Sequence, residues 1–276
     1  MPSTKTQSDY DGLPRLAASS YLNTAPLIWS FQHGTRQHLV RLVTDAAPAR
    51  CADLLAQAKV DAALVPIIEY ERIPDIRVVS SVCVGSHSAV RSVVLVSKYD
   101  DLRYVRRVAL DTSSRTSQVL VKIIFREFLN FEPQWQTCSP DLQAMMDTND
   151  AALLIGDPAM KISSKEYRVF DLATLWRSFT DAGFVFAMWM ARADVIDAIS
   201  KLDFAGARDE GLDQIESIVS QYENDLPLSR EEIRKYLRDN ITFHVDESLE
   251  KGMRLYFELA KKHGLIENAK PFQFVT

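Results

Sequence analysis

Five consecutive residues, Ser113-Ser114-Arg115-Thr116-Ser117, offer four hydroxyls and one guanidinium. They follow Asp111-Thr112, after the apolar run Val105–Leu110, and precede a long amphipathic pattern. A strand that ends here and a helix that begins here would surround the hydroxyls with unpaired backbone N–H groups. The helix dipole favours an anion at such a place, and Arg115 could add a bidentate contact to a carboxylate. An ordinary Ser/Thr cap is the simpler alternative, but five polar donors in a row exceed what a cap requires.

Three further stretches occupy comparable positions. Ser20-Tyr21-Leu22-Asn23-Thr24-Ala25-Pro26 follows the apolar Leu16-Ala17-Ala18. A strand should end at Ser20 or Tyr21 and a helix begin near Thr24, with Asn23 or Thr24 as cap and Pro26 in the first turn. Ser86-His87-Ser88-Ala89-Val90-Arg91-Ser92 leads into a strand of valine and leucine, where the Ser92 hydroxyl needs a partner if buried. A bond to neighbouring backbone would satisfy it without any function. Leu154-Ile155-Gly156-Asp157-Pro158-Ala159 ends a buried run in Gly-Asp. There Gly156 permits close approach of a ligand, and Asp157 could simply cap the helix that starts at Pro158.

Other chemistries leave no trace. The chain contains no G-x-G-x-x-G, P-loop, H-E-x-x-H or G-x-S-x-G pattern, and only 9 glycines. His33, His38, His87, His244 and His263 show no ligand spacing. Neither a metal nor a nucleotide cofactor is indicated. The four stretches offer hydroxyls, an amide, helix N-termini and one arginine, with no evident general base. That composition suits a small anionic molecule better than a hydrolase.

The elements that must position these stretches alternate. Strand-like runs are His38–Thr44, Val60–Val65, Arg77–Val84, Val90–Ser97, Val105–Leu110, Ala151–Ile155 and Phe184–Trp189. Helical patterns cover Pro48–Lys59 and Ser114–Asn130. From about Arg192 the texture is helical only, with a capping box at Ser229-x-x-Glu232 and a long helix from Asp246 to His263 closed by Gly264. Alternation of this kind predicts an α/β fold with largely parallel sheets and helices on both faces. Two such sets suggest two lobes: residues 15–95 with 193–276, and residues 96–192, after a loose polar tail over 1–14. The helical C-terminus is expected to pack on the first lobe, and a ligand to sit in the cleft between lobes.

The chain has 276 residues, 47% hydrophobic and 25% charged, with a formal net charge of −5. Its Lys and Arg are scattered, which argues against nucleic acid or an acidic membrane as partner. The polar N-terminus lacks the apolar core of a secretory signal, and no apolar run approaches the roughly 18 residues of a bilayer span. A cytoplasmic protein is expected. Cys51, Cys83 and Cys138 are odd in number and far apart, as reduced thiols would be.

Taken in order, the motifs resemble the chorismate dehydratase family of the futalosine route to menaquinone. The resemblance rests on Ser20-Tyr21-Leu22-Asn23-Thr24-x-Pro26, Val90-x-Ser92-Val93-x-Leu95-x-Ser97, Ser113–Ser117 and Ile155-Gly156-Asp157-Pro158. It continues through Asp171-Leu172-x-x-x-Trp176 and Phe184-Val185-Phe186-Ala187-x-Trp189, covering roughly residues 15–265. A sister family that makes dihydroxynaphthoate opens with a Ser-Pro-Cys-Pro-Asn-Asp type motif instead. One departure is Thr180-Asp181-Ala182-Gly183, where family members often carry Thr-Gly-Leu-Pro; this segment is expected to line the cleft mouth.

The resemblance implies the two-lobed fold of type II periplasmic binding proteins and a lyase that removes water from chorismate. It implies Asn23 and Ser92 as catalytic residues. Ser20, Tyr21, Thr24, Ser113, Ser114, Arg115, Thr116, Ser117, Gly156 and Asp157 would bind substrate, with no metal and no cofactor. The same fold raises the main rival, a binder or sensor of a small aromatic or carboxylate ligand that does no chemistry.

Overall fold

The computed structural model describes residues 12–162 and 167–275. Most of the tail expected over 1–14, its residues 1–11, lies outside the described residues.

Two five-stranded sheets form the frame. The first has the order β2-β1-β3-β10-β4, from β1 (Arg15–Ser19), β2 (Arg41–Asp45), β3 (Ala62–Pro66), β4 (Ile76–Ser86) and β10 (Phe184–Arg192). The second repeats the pattern as β7-β6-β8-β5-β9, from β5 (Val93–Ser97), β6 (Arg107–Asp111), β7 (Gln134–Cys138), β8 (Ala151–Ile155) and β9 (Arg168–Asp171). Strands β1, β2 and β3 run parallel, as do β6, β7 and β8, while β10 and β5 run antiparallel to their neighbours. The sheets are therefore mixed rather than largely parallel. The antiparallel strand in each is the one that follows a crossing between lobes.

Those crossings correct the expected lobe limits. β5 belongs whole to the second sheet and β10 whole to the first. Cuts at 95/96 and 192/193 would divide β5 and assign β10 to the wrong lobe. The chain crosses between β4 and β5 and returns between the Leu172–Thr180 helix and β10. Apolar runs do not mark the crossings, because β5 and β10 are buried strands that read alike in either sheet.

Strands β7 and β9 have no counterpart in the sequence reading. Both are edge strands with mostly exposed or half-buried residues, so they carry no apolar run to betray them. β5 shows the reverse. Val93 and Leu95 join the main core, while Val94 and Val96 join a smaller cluster with Met145, Met146 and Leu154 on the other face.

The helical C-terminus packs on the first sheet, as expected, but also reaches the second lobe. The Glu247–Lys262 helix contacts β10 and the Arg115–Ile123 helix. Its Tyr256 hydroxyl donates to the Thr116 carbonyl at 3.0 Å. The Asp181–Gly183 return lies under this helix rather than along the cleft mouth. Asp181 is left-handed at the C-cap of the preceding helix, and the Gly183 carbonyl accepts the Trp176 indole N–H at 3.1 Å. A Cβ at Gly252 would stand 1.8 Å from the Gly183 carbonyl oxygen. Backbone meets backbone there, and only glycine permits it. Gly252→Ala is therefore expected to lower stability by about 1–3 kcal/mol despite alanine's better helix propensity, read as a lower urea midpoint.

Candidate functional site

The carboxyl ends of β1, β3 and β8 point into the seam between the sheets. A cavity of about 50 Å³ lies there, lined by Ser19, Tyr21, Asn23, Thr24, Pro48, Leu64, Pro66, Val84, Val93, Ser114, Thr116, Ser117, Ile155, Gly156, Phe186 and Ala187. Small-molecule sites usually offer about 300 Å³ or more. A ring carrying two carboxylates can enter only when the lobes part.

No charged side chain lines this cavity. The helices Ala25–Gln32, Pro48–Ala56 and Arg115–Ile123 begin at it, through Thr24, Pro48 and Ser114, and none of the three has a side-chain cap. Helix N-termini leave N–H groups unpaired, and each carries roughly half a positive charge. The Thr24 and Ala25 N–H groups are already paired with the Tyr21 and Leu22 carbonyls, and Pro26 and Pro48 have no N–H, so the Arg115–Ile123 helix, whose Ser114, Thr116 and Ser117 line the cavity, is the N-terminus that could receive an anion.

The sequence-predicted residues divide into two groups. Tyr21, Asn23, Thr24, Ser114, Thr116, Ser117 and Gly156 line the cavity. Neither Asn23 nor Thr24 caps the helix. A short 3₁₀ turn, Leu22–Thr24, intervenes, and the Thr24 hydroxyl lies 2.7 Å from the Ser19 carbonyl and 2.8 Å from that of Tyr21. The Asn23 Oδ1 is buried with no hydrogen-bond partner. Leaving such an oxygen unmet costs on the order of 1–3 kcal/mol, and a ligand hydroxyl would meet it.

Ser20, Ser92, Ser113, Arg115 and Asp157 lie outside the lining. The Ser20 carbonyl accepts the Tyr222 hydroxyl at 2.9 Å. Ser92 is fully buried, and its hydroxyl does not bond to local backbone. That hydroxyl accepts from Tyr236, also fully buried, at 2.7 Å. Arg115, expected to grip a carboxylate, instead pairs across the lobes with Asp53 at 2.7 Å and with Glu69 at 3.2 Å. Glu69 is almost wholly buried and also holds Arg72; burial raises its carboxyl in spite of both arginines.

Asp157 does not cap its own helix. It accepts the Leu22 N–H of the other lobe at 3.0 Å. The neighbouring Gly156 has φ +65°, and a Cβ on it would stand 2.5 Å from the Tyr21 ring. Tyr21 thus lies on bare backbone of the opposite lobe. The Ile68 N–H adds a 3.3 Å bond to the Thr116 hydroxyl across the same seam.

Ser19, Pro48, Leu64, Pro66 and Val84 lie outside the motifs, whereas Val93, Ile155, Phe186 and Ala187 fall within them without having been named as site residues. Ser19, Pro66 and Ile155 end strands. Phe186 and Ala187 sit where the β10–β4 register shifts, which no local pattern announces. Among the described residues no group of three or more His, Cys, Asp or Glu could hold a metal ion, and no helix is long and apolar enough to cross a membrane.

Two mixed sheets facing each other across a seam, with helix N-termini at that seam, define a two-lobed protein of the periplasmic-binding-protein fold. The chain belongs to a family described by the words "menaquinone biosynthesis", whose model matches residues 14–262. It is 29% identical over 275 residues to the chorismate dehydratase of Thermus thermophilus, covering 90% of this chain and 93% of that one. Solved structures agree on the fold. Protein AF1704 from Archaeoglobus fulgidus matches with a TM-score of 0.72 at 18% identity, over 95% of this chain and 100% of its own. The aliphatic sulphonate binding protein SsuA of Escherichia coli matches with a TM-score of 0.62 at 17% identity, over 95% and 93%.

Burial pushes the Asp157 carboxyl up from 3.8 to about 6, against the Leu22 N–H that lowers it. A raised carboxyl binds its proton more tightly in the folded state. The associated stability is complete below about pH 3.8 and is lost as pH rises through about 6. Asp157→Asn keeps an oxygen for Leu22 and has no charge to bury. Relative to this variant, the wild type is expected to lose up to about 3 kcal/mol between pH 4 and pH 8 in urea titrations. A difference that stays constant with pH contradicts the assignment.

Proposed function

We propose that the cleft binds chorismate and removes water from it to give 3-[(1-carboxyvinyl)oxy]benzoate. The observation that carries this reading is the uncapped N-terminus of the Arg115–Ile123 helix at a cavity whose Asn23 Oδ1 is unmet. Chorismate brings two carboxylates for the N–H groups and a ring hydroxyl for the amide. The Thermus relative's name and the family description support the choice of substrate. Under this reading the chain is a cytoplasmic hydro-lyase feeding the futalosine route.

The reaction asks little of the protein. The C3–H bond breaks, its electrons form the new ring double bond, and the C4 hydroxyl departs with a proton as water. Aromatisation supplies driving force, so positioning carries much of the catalysis. A substrate carboxylate accepts the C3 proton. Asn23 orients the leaving hydroxyl. Ser92 acts from behind Val93, where Tyr236 holds its hydroxyl and its carbonyl accepts the Gly156 N–H at 2.7 Å. Ser114, Thr116 and Ser117 receive a carboxylate at the Arg115–Ile123 helix, while Arg115 ties the lobes together.

Incubation with chorismate, followed by ultraviolet absorbance and mass, should show loss of one water. A tight ligand recovered unchanged sinks the enzymatic reading in favour of the binder that the fold also suits. Asn23→Ala and Ser92→Ala are expected to lower kcat by roughly 10²-fold or more while changing substrate affinity far less. Abolition of activity by His87→Ala, with both of those variants working normally, contradicts the residue assignment.

A further inference from the structure

All three polar groups of Ser92 are engaged. Its N–H donates to the Val90 carbonyl within the crossing, and its carbonyl accepts the Gly156 N–H of the second lobe, each at 2.7 Å. Its hydroxyl accepts from Tyr236 at 2.7 Å, with both residues wholly buried. Tyr236 is carried by the first sheet. The Ile241 N–H donates to the Tyr236 carbonyl at 3.2 Å, five residues back, so the Arg230–Lys235 helix ends in a π-turn over Tyr236–Asn240. Turns of this kind are rare and recur at functional sites. Directly after it, Thr242 and Gly85 of β4 exchange backbone bonds at 2.8 and 2.9 Å.

Ser92 lies outside the cavity lining, but it governs two residues that form it. Val93 follows it in the chain, Gly156 is bonded to its carbonyl, and both line the cavity. Gly156 bears the Tyr21 ring, and Asp157 next to it accepts the Leu22 N–H. The placement of Gly156 therefore reaches the loop that presents Asn23. The same helical layer holds that loop from its own side, since the Tyr222 hydroxyl donates to the Ser20 carbonyl at 2.9 Å. Both walls of the cavity are referred to one scaffold.

We propose that Tyr236 is a positioning residue of this site: through Ser92 it sets Gly156 and Val93 against Tyr21 and Asn23 as the lobes close. Its effect on rate rests on the dehydratase reading; its effect on Gly156 does not. Tyr236 is absent from the cavity lining and does no chemistry on the substrate. Without its hydroxyl, Ser92 loses, among the described residues, its one bond to the first lobe. The Gly156 wall then settles at a different distance from Asn23. A displacement of about 1 Å in a group that orients the leaving hydroxyl can cost roughly 10²-fold in rate. The apolar residues Leu64, Val84 and Phe186 line the cavity from the first sheet and stay in place, so affinity holds better than rate.

Tyr236→Phe keeps the ring and its packing and removes only the hydroxyl. It should lower kcat with chorismate by roughly tenfold or more with KM within about threefold. In the unliganded protein, amide hydrogen exchange at Gly156 should speed by roughly tenfold or more, while exchange at Leu110 in β6 stays at the wild-type rate. Tyr236→Phe added to Ser92→Ala should give no further rise at Gly156, because both remove the same bond. Asn240→Ala removes the neighbouring 2.8 Å bond to the Ala89 carbonyl and should leave kcat within about twofold of wild type. Equal acceleration at Gly156 and Leu110 marks general loosening and overturns the proposal, as does a loss of kcat in Asn240→Ala that matches Tyr236→Phe. Wild-type kcat and unchanged Gly156 exchange in Tyr236→Phe overturn it and leave the dehydratase reading intact. Should the wild-type chain give no product, the dehydratase reading falls, and Gly156 exchange still upholds or overturns the positioning.

Discussion

Tyr21 lies against Gly156, and the two lobes meet this closely because that glycine has no side chain. A Cβ there would stand 2.5 Å from the ring, and the backbone is left-handed besides. From this one contact the rest of the seam follows. Leu22 comes within reach of Asp157, and the first turns of three helices are brought to a common volume. A larger residue at 156 would hold the lobes apart and disperse the N–H groups that make the site.

Closure also leaves the cavity, among the described residues, without a cation of its own. Arg115, the only guanidinium in the matched motifs near the helix N-terminus, is consumed by Asp53 and the buried Glu69 of the other lobe. The ion pairs hold the seam. The dipole of the uncapped Arg115–Ile123 helix then does the work of charge inside it, where low dielectric and exclusion of water strengthen it. Asp111 and Asp157, both with carboxyls raised by burial, lie outside the lining.

Much of the frame was legible because its signals are local. β8 matches its apolar run residue for residue, and the capping box at Ser229 forms as written. The ordered loops at strand ends mapped onto the cavity for Tyr21, Asn23, Thr24, Ser114, Thr116, Ser117 and Gly156. Edge strands β7 and β9 escaped because their residues alternate between water and partial cover. The lobe limits were misplaced because a buried valine run carries no label saying which sheet it joins.

By itself the sequence determined which residue types end each strand, and hence which hydroxyls, amide and helix N-termini could meet a ligand. Periodicity and turn chemistry act over a few residues, so they are written along the chain. Only the tertiary structure decided which of those groups face the cavity. Arg115 turned to Asp53, Ser92 to Tyr236 and Asp157 to Leu22, each partner 62, 144 and 135 residues away in the chain. Such choices depend on which buried polar atoms remain unpaired once the lobes close, and that balance is struck between distant segments, not within any one of them.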